Sequence, residues 1–103
     1  MTANLQRSPL SYPVRVLHVD DEPIVLEITK EFLEKSGEIS IISCTGVKEA
    51  YELLTIHQVD VIISDYEMTD INGVEFLKTI REHGSDIPFI LFTGRGRESV
   101  AVS

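Results

Sequence analysis

The chain has 103 residues, 43% of them hydrophobic, and a formal net charge of −8. This length suits one globular domain, the acidic balance disfavours direct contact with nucleic acid or an anionic membrane, and no stretch approaches the roughly 18 apolar residues of a membrane span. Cys44 is the single cysteine, so no internal disulfide can form, and a small buried side chain in a cytoplasmic protein is expected. Residues 1–13 lack an apolar signal segment and predict a disordered lead-in.

Four short apolar runs predict β-strands at residues 14–19, 39–44, 59–64 and 87–92. The last three are almost continuously apolar, which is typical of parallel strands that are covered on both faces. In the segments between them, apolar residues recur at the spacing of an α-helix. The alternation of strands and helices therefore predicts an α/β fold with a doubly wound parallel sheet.

Three amphipathic helices are expected between the strands. The first begins near Pro23, extends for about 13 residues and carries one apolar stripe, before Ser36 and Gly37 end it. The second and third lie in GVKEAYELLTIHQ and NGVEFLKTIREHG. The apolar stripes of the three helices are, in order, Val25, Ile28 and Phe32; Val47, Ala50, Tyr51 and Leu54; and Val74, Leu77 and Ile80.

The segment RGRESVAVS, after the fourth predicted strand, starts like a further helix and stops after barely two turns. An open sheet of this kind usually continues with another strand and helix. We therefore expect a domain that lacks the fifth strand and last helix, is C-terminally incomplete, and leaves one strand edge uncovered.

Polar residues follow three of the predicted strands. Asp20 and Asp21 come after the first, Asp65 after the third and Thr93 after the fourth. The carboxyl ends of parallel strands meet at one edge of the sheet, so these side chains should converge. Three neighbouring carboxylates raise the pKa of one another unless a cation lies among them, and oxygen ligands favour Mg²⁺.

Each of these residues also has a simpler interpretation. Asp21 or Glu22 would cap the helix at Pro23, and Asp65 or Thr93 would begin a turn. Capping and metal binding are compatible, and the joint arrangement at one edge favours a site.

The basic side chains are given no catalytic role. His18 lies inside the first strand, where a packed imidazole is expected. His57 and His83, near helix ends, should face solvent or contact the terminal carbonyls, and Arg95 and Arg97 should be solvated loop residues.

The motifs VLHVDDEP, VIISDYEMTDINGVEFL and PFILFTG together resemble the receiver domain of two-component response regulators, over about residues 14–100. The resemblance implies a CheY-like, flavodoxin-like sheet of strand order 2-1-3-4-5 and a receiver domain at 14–103. It also implies a cytoplasmic phosphorelay protein that is phosphorylated by a sensor histidine kinase or a phosphotransfer protein.

Site residues follow from the resemblance by position. Asp65 would be the phosphoacceptor and Thr93 the hydroxyl that contacts the phosphoryl group. Asp20, Asp21 and Asp65, with the backbone carbonyl of Glu67, would hold Mg²⁺. Such a domain transfers the phosphoryl group to itself and slowly removes it, rather than turning over as an enzyme, and phosphorylation switches a partner-binding face.

Two departures from the family pattern stand out. The family usually has proline after the methionine of the loop that follows the third strand, where this chain has Thr69. It also carries a lysine and an aromatic residue on a fifth strand, beyond the end of this sequence. A homodimer or a swapped dimer would complete the sheet. The alternatives are a phosphate-independent interaction module, or a Mg²⁺-dependent phosphohydrolase, whose second aspartate is Glu67 here.

Overall fold

The computed structural model describes residues 13–93 and 99–102. Its strands are β1 (Val14–Val19), β2 (Ile39–Cys44), β3 (Val61–Asp65), β4 (Phe89–Thr93) and β5 (Ser99–Val102). They form one sheet in the order β2-β1-β3-β4-β5, in which the first four strands are parallel. The predicted α/β class and strand order are confirmed. The bounds of β1 and β2 match the sequence prediction, while β3 and β4 begin two residues later than predicted.

Three helices connect the parallel strands: α1 (Pro23–Leu33), α2 (Val47–Ile56) and α3 (Gly73–Glu82). Proline suits the first turn of α1 because the amide nitrogen there needs no helical partner. A short 3-10 helix follows α1 and ends at Gly37, whose φ of 80° lies in the left-handed region that glycine adopts without strain. Among the described residues, no helix has the length and apolar character needed to cross a membrane.

Helices cover the sheet on both faces, so the core has two layers. On one face, Phe76 of α3 meets Tyr51 of α2 and Phe89 of β4 edge to face, each pair with ring centroids 5.5 Å apart. Such aromatic pairs add about 0.5–1.5 kcal/mol each beyond the burial of their area. On the other face, Val16 and Ile41 belong to a smaller cluster. This packing fixes the strand ends on which the candidate site lies.

Two of the three residues in the predicted apolar stripe of α1 are exposed, and the third, Val25, is partly buried. Leu26 is the buried residue of this helix, whereas Ile28 and Phe32 are 60% and 68% exposed. Ile24 is also exposed, and because residues four apart lie on one helix face, Ile24, Ile28 and Phe32 form a continuous apolar surface. We call these three residues the exposed α1 stripe.

Most residues of the predicted apolar stripes of α2 and α3 do face the core. Val47 and Ala50 of α2 are buried, and Tyr51 and Leu54 pack against the same core cluster. In α3, Ile80 is buried and Leu77 packs on the core, but Val74 is exposed. Phe76, which the predicted stripe omitted, is the fully buried aromatic residue of α3.

The end of the chain differs from its prediction. Residues 99–102, expected to continue a helix, form β5, which pairs antiparallel with β4. The edge of β4, expected to be uncovered, is therefore paired. A fifth parallel strand and a helix after it are absent from the part of the chain that the structure describes. Arg95, Arg97 and the lead-in up to residue 12 lie outside the described residues.

Candidate functional site

Three aspartates meet at the carboxyl edge of the sheet. Asp20 directly follows β1, Asp21 comes next, and Asp65 is the last residue of β3. β1 and β3 are neighbours with Val19 opposite Ser64, so their ends lie side by side. One carboxylate oxygen from each aspartate lies within 4.8 Å of the other two. The structure thus brings together the three carboxylates that the sequence placed at this edge.

Asp20 is the most buried of the three, with 5% of its surface exposed. Burial raises the pKa of its carboxyl to about 6, and the charges of Asp65, Glu22 and Asp21 act in the same direction. The backbone N–H of Glu22 donates to Oδ1 of Asp20 at 2.9 Å and partly offsets this rise. Among the described residues, the charged groups that act on Asp20 are the carboxylates of Asp65, Glu22 and Asp21, so this buried group favours the presence of a cation.

The pKa of Asp65 is also raised, first by burial and then by the charges of Asp21 and Glu22. The nearby backbone N–H groups of Tyr66 and Glu67 act in the opposite direction and lower the pKa. The carboxylate is half-buried at the mouth of the cluster. It is therefore partly accessible to solvent.

Helix capping does not explain the acidic residues before Pro23. Glu22 is the N-cap residue of α1, yet its side chain makes no capping hydrogen bond. Asp21 instead accepts a hydrogen bond from the backbone N–H of Thr69, with 3.1 Å between nitrogen and Oδ2. Thr69 lies in the loop that follows β3. Asp21 therefore links the two loops that carry the cluster.

The loop after β3 is fixed at three further points. Tyr66 donates its N–H to the carbonyl of Phe92 in β4, and its own carbonyl accepts from Gly73. Asn72 caps α3 by accepting from the N–H of Glu75 at 2.9 Å. These contacts hold the backbone next to Asp65 against the sheet and the start of α3.

Asp70 is a residue that sequence reasoning missed. Its Oδ2 accepts a hydrogen bond from the N–H of Val47 at 2.9 Å, so it caps α2 from a different loop. The available signal was indirect: α2 starts after Gly46, which has no side chain with which to cap the helix. Asp70 thus connects the loop after Asp65 to the start of α2.

Two other predicted site residues have positions but no demonstrated role. Thr93 ends β4, one residue beyond Phe92, which pairs with Asp65. Its side chain lies outside the described part of the structure. Glu67 is an exposed residue two positions after Asp65. The phosphoryl contact of Thr93 and the metal contact of the Glu67 carbonyl stay predictions.

The histidines and the cysteine agree with their packing interpretations. His18 is fully buried in β1, and burial lowers its pKa to about 4, so it is neutral at physiological pH. His83 contacts the carbonyl of Thr79 through Nδ1 at 2.8 Å, and His57 is exposed. Cys44 is buried, and burial raises the pKa of its thiol to about 11. The burial of His18 and Cys44 fits the interpretation that these two side chains pack in the core.

Comparison with known proteins agrees with the geometry of the strand ends. A family model described as the response regulator receiver domain matches residues 16–103. The chain belongs to this family. The receiver domain of this chain therefore carries its acidic cluster at the carboxyl edge of a sheet with the family's strand order.

Two curated relatives illustrate the extent of the similarity. Response regulator Rre1 of Synechocystis is 35% identical over an alignment of 89 residues that covers 84% of this chain and 38% of that protein. The transcriptional regulatory protein YvrH of Bacillus subtilis is 33% identical over 88 residues, or 85% of this chain and 37% of the relative. The chain thus spans less than two-fifths of the length of these relatives.

Solved structures match the receiver domain more fully. The MaeR response regulator bound to beryllium trifluoride has a TM-score of 0.73 and 29% identity, covering 82% of this chain and 70% of that one. TrrA of Thermotoga maritima in complex with Mg²⁺ and beryllium fluoride has a TM-score of 0.71 and 35% identity. The match covers 80% of this chain and 70% of the TrrA chain. A chain from the complex of TrrA with the histidine kinase ThkA matches with a TM-score of 0.71 and 34% identity. The match covers 82% of this chain and 74% of that one.

Proposed function

We propose that this receiver domain accepts a phosphoryl group on Asp65 from the phosphohistidine of a sensor histidine kinase or a phosphotransfer protein. The observation that carries the proposal is the convergence of Asp20, Asp21 and Asp65, whose carboxylate oxygens lie within 4.8 Å of one another. Membership of the receiver family and the similarity to a regulator solved with its kinase support it.

The residues of the cluster fit a divalent cation of the Mg²⁺ type. All three donors are carboxylate oxygens, which hard cations prefer, and their spacing lets one ion contact them together. Asp20, Asp21 and Asp65 would hold it, with the backbone carbonyl of Glu67. When bound, the ion would offset the repulsion between the Asp65 carboxylate and the phosphoryl oxygens.

Asp65 supplies the nucleophile. An oxygen of its ionised carboxylate forms a bond to phosphorus as the bond from phosphorus to the donor's imidazole nitrogen breaks, and the imidazole leaves with that electron pair. The N–H groups of Tyr66 and Glu67 favour the ionised form that this step needs. Water later hydrolyses the acyl phosphate, which makes the phosphorylation transient and returns Asp65 to its starting state.

Phosphorylation would change the surface at the end of β4. The added group brings negative charge and acceptor oxygens next to Thr93, which ends the strand beside Asp65. The hydroxyl of Thr93 would donate to those oxygens and move toward them. A partner that binds around the end of β4 would then distinguish the phosphorylated form from the free one.

Acetyl phosphate tests the chemistry without a kinase. With Mg²⁺, intact mass spectrometry should record the gain of one phosphoryl group, and the gain should disappear with EDTA because the carboxylates alone would repel the donor. Asp65→Asn keeps the shape of the side chain and should take up nothing. A chain that gains no phosphoryl group under any of these conditions would contradict the proposal and favour the phosphate-independent interaction module.

The exposed α1 stripe is our proposed contact for the kinase. Ile24, Ile28 and Phe32 are each at least 60% exposed, and α1 starts two residues after Asp21. Contiguous exposed apolar surface marks interaction sites on soluble domains. A partner bound there would lie beside the acidic cluster, where its phosphohistidine must reach Asp65.

Ile28→Asp should slow phosphotransfer from the cognate kinase about tenfold, because it removes apolar contact area from the centre of the proposed interface. The kinase can be found by profiling autophosphorylated histidine kinases of the source organism against this chain. Phosphorylation by acetyl phosphate should not change, since Ile28 lies outside the cluster. Ile56→Asp, at a position on α2 that is 72% exposed against 60% for Ile28, is the matched control. Equal transfer rates to the two variants would exclude the stripe as the kinase contact.

The remaining assignments follow from the same proposal. The receiver domain would span residues 14–103, and the family model covers nearly all of that range. A phosphorelay partner of a kinase would act in the cytoplasm, where a single unpaired cysteine stays reduced. A dimer stays a prediction, and the paired edge of β4 removes the reason for a strand swap there.

A further inference from the structure

The backbone of Thr69 contacts the acidic cluster. Its N–H donates to Oδ2 of Asp21, 48 residues away in the sequence, at 3.1 Å. A proline, the usual residue of the family at this position, has no N–H and could not make this bond. The departure from the family pattern therefore adds a hydrogen bond to one of the three clustered carboxylates.

This donor is held in place independently of the cluster. The neighbouring Asp70 accepts from the N–H of Val47 at 2.9 Å and from its own neighbour Ile71 at 2.8 Å. The loop containing Thr69 is thus attached to the start of α2. The N–H of Thr69 consequently has a defined position from which to orient Asp21.

The bond leaves Asp21 able to bind a cation. A carboxylate has two oxygens and about four lone-pair directions, so accepting one N–H at Oδ2 does not saturate it. The bond does restrict the rotation of the side chain before any ion binds. An aspartate that is already oriented toward Asp20 and Asp65 loses less conformational entropy on binding than a freely rotating one.

We propose that the backbone N–H of Thr69 is a positioning group that orients Asp21 and so strengthens the affinity of the cluster for Mg²⁺. The inference rests on the proposed function, because it concerns the metal site of that function. It assigns the effect to the main chain of Thr69 and none to its hydroxyl.

The test compares variants that differ in this N–H. Thr69→Pro removes it, and Thr69→Ala removes the side chain but retains it. Mg²⁺ affinity is measured by isothermal titration calorimetry. We expect about tenfold weaker binding for Thr69→Pro, in the range of a lost charge-assisted hydrogen bond, and binding within about twofold of the unsubstituted chain for Thr69→Ala.

Proline also restricts the backbone, so a second variant isolates the hydrogen bond. Replacing Thr69 by its α-hydroxy acid analogue, through chemical ligation, exchanges the N–H for an ester oxygen and adds no ring. This variant should show the same loss of affinity. The amide proton of residue 69 should shift upfield in NMR spectra of Asp21→Ala relative to the unsubstituted chain, which would verify that the bond forms in solution, while the Mg²⁺ affinities test its positioning role.

The outcomes separate the two proposals. Equal Mg²⁺ affinity in the ester variant and in Thr69→Ala would overturn the role of the Thr69 N–H while leaving the metal site intact. Failure of the unsubstituted chain to bind Mg²⁺ at all would overturn the proposed function, and this inference with it. Weaker binding confined to the two variants that lack the N–H would establish the positioning role.

Discussion

Replacing Asp20 by asparagine should stabilise the metal-free protein at neutral pH and abolish its response to Mg²⁺. Asp20 is 5% exposed, and its pKa is raised from 3.8 to about 6. Its ionised form at pH 7.5 therefore opposes folding by up to about 3 kcal/mol relative to a neutral side chain. Asparagine retains the oxygen that accepts from the N–H of Glu22 and carries no charge, so the gain should come without a lost contact.

The pH dependence follows from the sign of the shift. A carboxyl whose pKa is higher in the folded than in the unfolded chain binds its proton more tightly when folded. Asp20 thus contributes stability below about pH 4, and this contribution is lost as the pH rises through about 6. Urea unfolding of the metal-free protein between pH 4 and 7.5 should show a falling free energy of unfolding, and Asp20→Asn should flatten that fall.

Mg²⁺ should act on the same group. An ion that binds only the folded chain raises the melting temperature with its concentration, and Asp20→Asn removes one of its charged ligands. The melting temperature of the unsubstituted chain should therefore rise in about 10 mM Mg²⁺, by an amount set by the ratio of the Mg²⁺ concentration to the dissociation constant. The melting temperature of the variant should change little. Asp86→Asn, at an exposed loop position, is the control and should behave like the unsubstituted chain. A variant that is less stable than the unsubstituted chain at pH 7.5 would contradict the charge explanation.

The sequence predicted the sheet and the edge on which the acidic residues meet. Parallel strands buried on both faces need nearly continuous apolar residues, and few other elements of this length have that pattern. Three of the four predicted strands have this pattern, and once the four were assigned to one parallel sheet, the residues after them had to share one edge. The meeting of Asp20, Asp21 and Asp65 followed from their positions directly after parallel strands, without any knowledge of side-chain contacts.

The orientation of α1 could not be read from periodicity. This helix carries apolar residues on two faces, one with Leu26 and Leu33 and one formed by the exposed α1 stripe. A hydrophobic pattern reports that a face avoids water but not whether a sheet or another protein covers it. The predicted stripe included Ile28 and Phe32, which the structure places outward.

Contacts between loops were also beyond the sequence. The bonds from Thr69 to Asp21 and from Val47 to Asp70 join residues 48 and 23 positions apart, with no spacing rule to connect them. β5 was missed for a related reason. A four-residue strand is too short for a clear period, and its pairing depends on the neighbouring edge of β4.

Gly73→Ala should destabilise the protein by about 3 kcal/mol, because the added methyl group has no space. A Cβ atom at Gly73 would lie 2.5 Å from Cδ1 of Leu91 and would overlap the backbone carbonyl oxygen of Asp65. The Leu91 side chain can rotate away, but the carbonyl of Asp65 moves only if the end of β3 moves with it. The substitution should therefore also weaken Mg²⁺ binding, since it displaces Asp65, one of the proposed ligands.

The matched control for this substitution is Gly84→Ala, because a Cβ there meets nothing within 4 Å. Its φ of 89° makes alanine unfavourable by about 1 kcal/mol, through backbone strain alone. Urea unfolding should thus give a clearly lower free energy of unfolding for Gly73→Ala than for Gly84→Ala. Calorimetry should find that Mg²⁺ affinity is reduced in Gly73→Ala and unchanged in Gly84→Ala. If the two variants were equally stable, the close approach of α3 to Asp65 would not constrain the site. The glycine of the NG pair would then serve the turn alone, and the position of Asp65 would depend on its strand and on the hydrogen bonds of the loop.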